Sequence, residues 1–155
     1  MKNVDSQLVY SLYRMVFNLS QRFQYLTDDI LRKDNLTAKQ FHLSAIIDQS
    51  FTEPPSVNEV ANIMDTSHQN VKAIANQLQR KGFLQIEKDP DDRRRQLLKL
   101  TEKSRQYWDS QAKVGEAFML SLFDVLSDEE LVALNAIYTK LLKGTEDQYK
   151  SAKNH

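Results

Sequence analysis

The chain has 155 residues, no cysteine, and 21 acidic and 21 basic side chains, so its formal net charge is zero. A chain of this length fits one domain and can bury a core without disulfide bonds. The lack of cysteine excludes disulfides, thiolate zinc sites and thiol-based redox sensing. No apolar run approaches the roughly 18 residues of a membrane span, and the N-terminus lacks a signal-peptide pattern. We therefore expect a cytoplasmic protein with no membrane partner.

The first predicted element is a long helix that ends near Asn35. Its apolar side chains recur at spacings of three or four and mark one helical face: Leu8, Leu12, Met15, Leu19, Phe23, Leu26 and Ile30. Additional aromatic side chains lie off this face: Tyr10, Tyr13, Phe17 and Tyr25. A surface this apolar would make a monomer prone to aggregation, so the pattern predicts burial of the whole set against a second copy of the chain. Packing in the core is the alternative for a single residue such as Phe17 or Tyr25.

Three capping boxes predict the starts of further helices. In each box a hydroxyl accepts from the backbone N–H three residues on, while a Glu or Gln side chain reaches back to the N–H of the cap residue. The pairs are Thr37 with Gln40, Ser56 with Glu59, and Ser127 with Glu130. The first box opens a helix through about Gln49, and Pro54 and Pro55 indicate a loop after it.

Two helices separated by a tight turn at 65–67 come next, as in a helix-turn-helix. The first, at 57–64, has a predicted buried face of Val57, Val60, Ala61 and Met64. The second, at 67–81, has a predicted buried face of Val71, Ile74, Ala75 and Leu78. Gly82 should end it, because glycine readily adopts the left-handed conformation that follows a helix.

The other face of this second helix is polar. It carries His68, Gln69, Asn70, Lys72 and Asn76. Asn and Gln can pair with adenine in the major groove, and Lys or His can donate to guanine. The pattern therefore predicts a helix that reads DNA bases, although a solvated face of a helical domain would show the same residues.

A β-hairpin is predicted after Gly82, because short alternating runs at 84–88 and 97–100 flank a polar segment. Its tip carries Arg93, Arg94 and Arg95. Exposed arginines gain little unless they meet an anion or a narrow minor groove. Asp89 and Asp92 are predicted to support the loop, with at least one aspartate pairing with a neighbouring arginine so that another arginine points outward. A solvated charged turn is the alternative.

Two long helices complete the chain. Thr101 should cap one that runs to about Leu126, and the last should start at Asp128, with a polar tail that frays from Asp147. Between residues 66 and 103 there are nine basic and five acidic side chains, a net charge of +4, so the remainder carries −4. A basic surface on an acidic body favours local contact with DNA.

Neither an enzyme nor a metal site is indicated. The three histidines, His42, His68 and His155, are scattered, and no carboxylate cluster has metal-ligand spacing. No Ser/His/Asp arrangement or Gly-rich phosphate loop stands out, so we expect no cofactor. A winged helix that binds protein and, less favoured, a small helical enzyme remain alternatives.

These motifs together resemble the MarR (multiple antibiotic resistance regulator) family of winged-helix transcriptional regulators. The resemblance rests on Leu36-Thr37, the helix-turn-helix at 57–78, Lys81-Gly82-Phe83-Leu84, the wing motif Asp89-Pro90-Asp91-Asp92-Arg93-Arg94, and Leu100-Thr101. It implies a mainly α-helical fold with a small β-hairpin. It also implies a DNA-binding lobe at about 36–101 and a helical dimerisation region at about 1–34 and 102–150.

The resemblance further implies a homodimer that binds a pseudo-palindromic operator in duplex DNA, as a repressor. Major-groove contacts would fall on Ser67, His68, Gln69, Asn70 and Lys72. The wing signature falls on Asp92, Arg93 and Arg94, and of the arginines we favour Arg93 for insertion into the minor groove. Arg95 stands where the family usually has a small residue, and Ser104 where a glycine often follows Leu-Thr, a change expected to matter little.

A small aromatic effector is a further expectation from the resemblance. Family members often bind such molecules between the dimerisation region and the DNA-binding lobe. The residues here that would line such a pocket are Tyr13, Phe17, Tyr25 and His42. Ordinary packing in the core or the interface is the alternative for each of them.

Overall fold

The computed structural model describes residues 5–153, and His155 lies outside them. In these residues the element order is α1 (Ser6–Leu31), a 3-10 turn (Arg32–Asp34), α2 (Ala38–Ser50), α3 (Val57–Ile63), α4 (His68–Arg80), β1 (Leu84–Lys88), β2 (Gln96–Leu100), α5 (Glu102–Phe123) and α6 (Asp128–Lys153). The chain divides into two compact units, Met1–Ser110 and Gln111–His155. The predicted fold class, mainly helical with one small hairpin, is confirmed.

The core of the first unit lies mainly in the segment from α2 to β2, to which Leu31 and Leu36 add from before α2. Helix α4 packs against α2, α3 and β1 through the apolar face that its periodicity predicts. Its four core side chains, Val71, Ile74, Ala75 and Leu78, are all buried. On α3, Val57, Val60 and Ala61 are buried, and Met64 just beyond its end is partly buried. Both predicted faces are therefore confirmed.

The hairpin is antiparallel, with Leu84 opposite Leu100 and Lys88 opposite Gln96. Its apolar side chains turn into the core, where Leu84, Leu98 and Leu100 are buried. The backbone N–H of Leu98 donates to the carbonyl of Pro55 at 2.8 Å. This bond attaches the hairpin to the loop that precedes α3.

Two of the three predicted capping boxes form. The Ser56 hydroxyl accepts from the Glu59 N–H at 3.3 Å, and the Glu59 carboxylate accepts from the Ser56 N–H at 2.7 Å. Ser127 and Glu130 make the same reciprocal pair. The third prediction is half wrong: Thr37 caps α2, but the Gln40 side chain is buried and turns away to bond with residues of α4 and its end.

Gly82 ends the helix-turn-helix segment as predicted, with a φ of +75°. The Phe83 N–H donates to the Leu78 carbonyl at 2.9 Å, which satisfies a carbonyl of the last helical turn. Two other ends differ from prediction. Helix α5 stops at Phe123, before Leu126, and α6 continues to Lys153, so the expected fraying from Asp147 is wrong.

Helix α1 leaves most of its apolar side chains exposed in the single chain, and Leu31 is its one buried residue. The large exposed ones are Leu8, Val9, Tyr10, Leu12, Tyr13, Met15, Val16, Phe17, Leu19, Tyr25 and Leu26. In the second unit, α6 also exposes Val132, Ile137, Leu141 and Leu142. Between residues 5 and 153, no helix is apolar over a length that could cross a bilayer.

Candidate nucleic-acid interface

The predicted base-reading residues lie on the exposed side of α4, which we call the recognition helix. His68, Gln69, Asn70, Lys72 and Asn76 are all exposed. Within the described residues, the side chains of His68, Gln69 and Lys72 make no hydrogen bond or ion pair with another side chain. They are therefore available to an external partner, and contact with bases remains a prediction.

Two predicted contact residues shape the start of the recognition helix. The Ser67 hydroxyl accepts from the Asn70 N–H at 3.2 Å, so Ser67 is the N-cap. The Asn70 amide group donates to the Thr66 hydroxyl at 2.8 Å. Asp65, in the preceding turn, has a left-handed φ of 48°. The turn thus holds the first helical residues in a defined direction while their outer side stays in solvent.

Aspartates fold the loop between the strands, which we call the wing tip (residues 89–95). The Asp89 carboxylate accepts from the backbone N–H of Asp91 at 2.9 Å. The Asp92 carboxylate accepts from the N–H of Arg94 at 3.1 Å, and the Arg95 N–H donates to the Asp92 carbonyl at 2.8 Å. These acids therefore sit beside basic residues because they supply acceptors that the turn backbone needs.

The three wing arginines have different environments. Arg94 Nε lies 3.2 Å from an Asp92 oxygen, although the Arg94 side chain is 93% exposed. Arg95 lies 3.4 Å from Glu59 and 3.7 Å from Asp89. Arg93 is exposed and has no ion pair with another residue in the range 5–153. Arg94 and Arg95 therefore face carboxylates, whereas the Arg93 guanidinium faces none among these residues.

The contact between Arg95 and Glu59 joins the wing to α3, and sequence reasoning missed it. Hydrogen bonds from the Ser56 hydroxyl and N–H, aided by the positive charge of Arg95, hold the pKa of the Glu59 carboxyl below its usual range. The two residues are 36 positions apart, so local pattern gives no signal for the pair. The only hint was a large basic residue at a position where the family resemblance leads one to expect a small one.

The four predicted pocket residues are exposed in the single chain. Tyr13 and Phe17 lie on α1 with their ring centroids 5.0 Å apart, Tyr25 lies further along α1, and His42 lies on α2. A groove of about 210 Å³ in the same unit has other walls, among them Asp48, Phe51, Lys99 and Arg105. It includes none of the four, so their role in ligand binding stays a prediction. No group of three or more potential metal ligands occurs among residues 5–153.

An aromatic cluster supports the base of the wing. Phe41, Trp108, Tyr107 and Phe83 form a chain of edge-on contacts with centroid separations of 4.8–5.3 Å. Tyr107 donates to an Asp34 oxygen at 2.7 Å. Burial, together with this bond and the nearby negative charge, raises the pKa of the Tyr107 phenol. The cluster fixes the start of α5 against α2 and the 3-10 turn.

An exposed polar helix on a packed helix-turn-helix, followed by an arginine-tipped hairpin, defines a winged helix-turn-helix protein. The sequence model of the MarR family matches residues 36–95, from the turn before α2 to the wing tip. Over these residues the chain matches the MarR family of transcriptional regulators, as its sequence motifs predicted.

Three known proteins are similar to this chain over most of its length. An uncharacterized HTH-type transcriptional regulator of Bacillus subtilis, YpoP, is 23% identical over 140 residues, which cover 90% of this chain and 97% of YpoP. The crystal structure of a mutant MarR from E. coli complexed with operator DNA superposes with a TM-score of 0.79 at 21% identity, covering 90% of this chain and 99% of that one. BpsR of Bordetella bronchiseptica, whose DNA binding is regulated by 6-hydroxynicotinic acid, superposes with a TM-score of 0.73 at 25% identity. The superposition covers 84% of this chain and 98% of the BpsR chain.

Proposed function

We propose that this protein is a repressor that binds a pseudo-palindromic operator in duplex DNA as a homodimer. The observation that carries the proposal is the exposed, unengaged row of His68, Gln69 and Lys72 on a helix whose opposite face is buried in the core, in the same unit as the unengaged Arg93. In this scheme the recognition helix contacts base edges in the major groove and determines sequence preference. The wing adds affinity through contacts with the minor groove and phosphates. The protein acts by binding and performs no catalysis.

The division of the wing arginines supports distinct roles for them. Arg93 enters the minor groove, where the negative potential attracts a guanidinium that has no competing partner. Arg94 stays exposed beside Asp92 and contacts phosphate. Arg95 is turned toward Glu59 and Asp89 and mainly holds the wing, which changes its predicted role from DNA contact to support.

The homodimer is supported by the apolar surfaces of the long helices. Large side chains such as Leu12 and Phe17 are about half exposed on α1, and Leu142 is more exposed on α6. Several large apolar side chains exposed along one helix mark an interaction site in many water-soluble proteins. A symmetric dimer also matches a pseudo-palindromic site, with half-sites roughly 10 bp apart from centre to centre.

The first experiment measures DNA binding as a function of salt. The upstream region of the protein's own coding sequence serves as probe, and fluorescence anisotropy gives the affinity at each salt concentration. Replacing both Arg93 and Arg94 by alanine should weaken binding to every sequence. It should also flatten the slope of log affinity against log salt by about 0.9 for each phosphate that is no longer neutralised. Lys39→Ala, an exposed lysine on α2, is the control for removal of a positive charge. An unchanged slope in the double variant would refute the wing assignment.

A second experiment distinguishes sequence-specific base contacts from non-specific contacts with the DNA backbone. Gln69→Ala or Asn70→Ala should relax preference at individual base pairs by about 1–3 kcal/mol and leave binding to random DNA nearly unchanged. Equal losses on operator and random DNA would contradict a reading role. A wild-type protein without any salt-dependent DNA binding would favour the protein-binding alternative.

Release by a small aromatic acid is the remaining part of the proposal. The regulation of BpsR by 6-hydroxynicotinic acid supports this class of effector. The exposed aromatic side chains Tyr13, Phe17 and Tyr25 and the imidazole of His42 would line the site in the dimer. Adding salicylate or 6-hydroxynicotinic acid to the anisotropy assay should lower operator affinity, and Phe17→Ala should reduce that response. No change in affinity with either acid would remove these ligands from consideration.

A further inference from the structure

A buried amide group links α2 to the C-terminal end of the recognition helix. Gln40 is only 2% exposed. Its Oε1 accepts from Lys81 Nζ at 3.0 Å, and its Nε2 donates to Gln77 Oε1 at 2.9 Å. Because an ammonium group can only donate, Lys81 dictates which end of the Gln40 amide faces it. The other end must then face Gln77, so both hydrogen bonds form only in one orientation of the Gln40 amide, and each partner is anchored on α4 or at its end.

The same network reaches α1. Lys81 Nζ also donates to the backbone carbonyl of Asn35, in the turn between α1 and α2. Asp28, in the last part of α1, accepts from the backbone N–H of Ala38 at 2.6 Å. A continuous set of polar contacts therefore runs from the end of α1, through the start of α2, to the end of α4.

Lys81 is fixed from its other side as well. Its backbone carbonyl accepts from Lys103 Nζ at 2.7 Å, and that ammonium lies 4.8 Å from the centre of the Phe83 ring. Burial lowers the pKa of the Lys81 ammonium, which is the expected result for a lysine drawn from solvent into the fold. Lys81 is thus engaged by the protein and is not a free cation at the DNA surface.

We propose that Gln40 is a positioning residue that sets the angle between the recognition helix and α1 through Gln77 and Lys81. The remaining contacts of α4 are mostly apolar; their packing restricts its crossing angles to a range, but a single apolar contact has no preferred direction. Hydrogen bonds at 2.9–3.0 Å do have one. Since α1 carries the proposed dimer surface, the angle determines how far apart two recognition helices lie, and therefore which half-site spacing is bound. The inference rests on the proposed function.

The test compares operators that differ only in half-site spacing. Wild-type protein first selects an operator from random duplex DNA, and base pairs are then inserted or deleted between its half-sites. Gln40→Met keeps the side-chain length and removes both hydrogen bonds. It should lower affinity for the selected operator by about tenfold and flatten the dependence on spacing. Affinity for random DNA and the salt slope should stay unchanged, since the substitution leaves every phosphate-binding residue in place.

Two further variants separate positioning from folding. Gln77→Ala removes an exposed partner of Gln40 and should flatten the spacing dependence without unfolding the chain. Gln79→Ala is the matched control, because Gln79 is an exposed glutamine of the same helix whose side chain has no hydrogen bond among the described residues. Gln40→Glu retains acceptors for Lys81 and for the amide of Gln77, and should restore the wild-type spacing preference.

The possible failures are distinguishable. Folded Gln40→Met and Gln77→Ala proteins with wild-type spacing preference would overturn the positioning role alone. If Gln40→Met does not fold, the result for Gln77→Ala decides the question. A wild-type protein that selects no DNA sequence would overturn the proposed function itself, and this inference with it.

Discussion

The winged-helix core and helix α1 contain similar apolar residues but have opposite burial. Leu78 of α4 is fully buried, whereas Leu12 of α1 is 52% exposed. Both residues belong to helical apolar faces that periodicity detects equally well. Periodicity shows that a face will be covered. It does not show whether that face packs against the same chain or against another chain.

The two regions should therefore respond differently to dilution. Burial within the chain stabilises at any protein concentration, whereas burial between two chains contributes by mass action and disappears on dilution. Protein concentration becomes the variable that separates the core from the proposed interface, and the first two predictions use it.

The largest expected effect is in the core. Leu78→Ala should lower the free energy of unfolding by about 3 kcal/mol, because it removes a fully buried side chain and leaves a cavity. Urea unfolding at two protein concentrations should give the same loss at both. Ile63→Ala, at a 47% exposed position on α3, is the control and should cost much less. A loss at Leu78 that depends on concentration would place this residue in an interface instead.

A smaller effect is expected on α1. Leu12→Ser combined with Phe17→Ser should weaken self-association by a factor of ten or more, since each side chain has about half of its surface left to bury and full burial contributes about 1.5–3 kcal/mol. Sedimentation equilibrium would measure the dissociation constant. The stability of the dissociated chain should change little. A wild-type protein that remains monomeric at high concentration would contradict the proposed dimer.

Local pattern predicted the elements of this fold well because helix caps and apolar stripes depend on neighbours within one or two turns. The buried stripe of α4, the Ser56–Glu59 capping box and the left-handed Gly82 are examples. It failed for Gln40, whose partners Gln77 and Lys81 lie 37 and 41 residues away. The Gln40 amide makes these tertiary hydrogen bonds and so does not form the local capping box with Thr37.

The exposure of the candidate site residues was predicted from the sequence, but the contacts among them were not. The exposed polar residues of the recognition helix were recognisable because they alternate with a buried stripe. Which wing arginine lacks a partner depends on Glu59, a residue in a different element, and on the fold of the loop around Asp89. Such pairings arise from the path of the chain, which spacing alone does not specify.

Ser104 lies at the start of α5, where we expected a serine in place of the family's usual glycine to matter little. This side chain is fully buried, and its hydroxyl has no hydrogen-bond partner among residues 5–153. Ser104→Ala should therefore raise the free energy of unfolding by about 1 kcal/mol, because a buried unpaired polar group is removed. Ser121→Ala, which removes an exposed hydroxyl bonded within α5, is the control. A destabilised Ser104→Ala protein would show that the hydroxyl is paired in solution.

The smallest expected effect concerns Glu59, where the wing meets α3. Its pKa in the folded protein lies below 4.5, first because of the Ser56 hydroxyl and then because of the Ser56 N–H and Arg95. The ionised carboxylate thus stabilises the fold at pH values above 4.5, and this contribution is lost as the pH falls through the folded-state pKa. Since the side chain is half exposed, the contribution should not exceed about 0.5 kcal/mol.

Glu59→Gln keeps an acceptor oxygen for Ser56 and removes the charge, so it isolates this effect. The variant should be slightly less stable than the wild type in urea at pH 7, and the difference should shrink as the solution is acidified below pH 4.5. Glu87→Gln, an exposed glutamate on β1, serves as the control for removal of one negative charge. A difference that grows on acidification would mean that the protonated carboxyl is the stabilising form, and that Arg95 holds the wing through Asp89 instead.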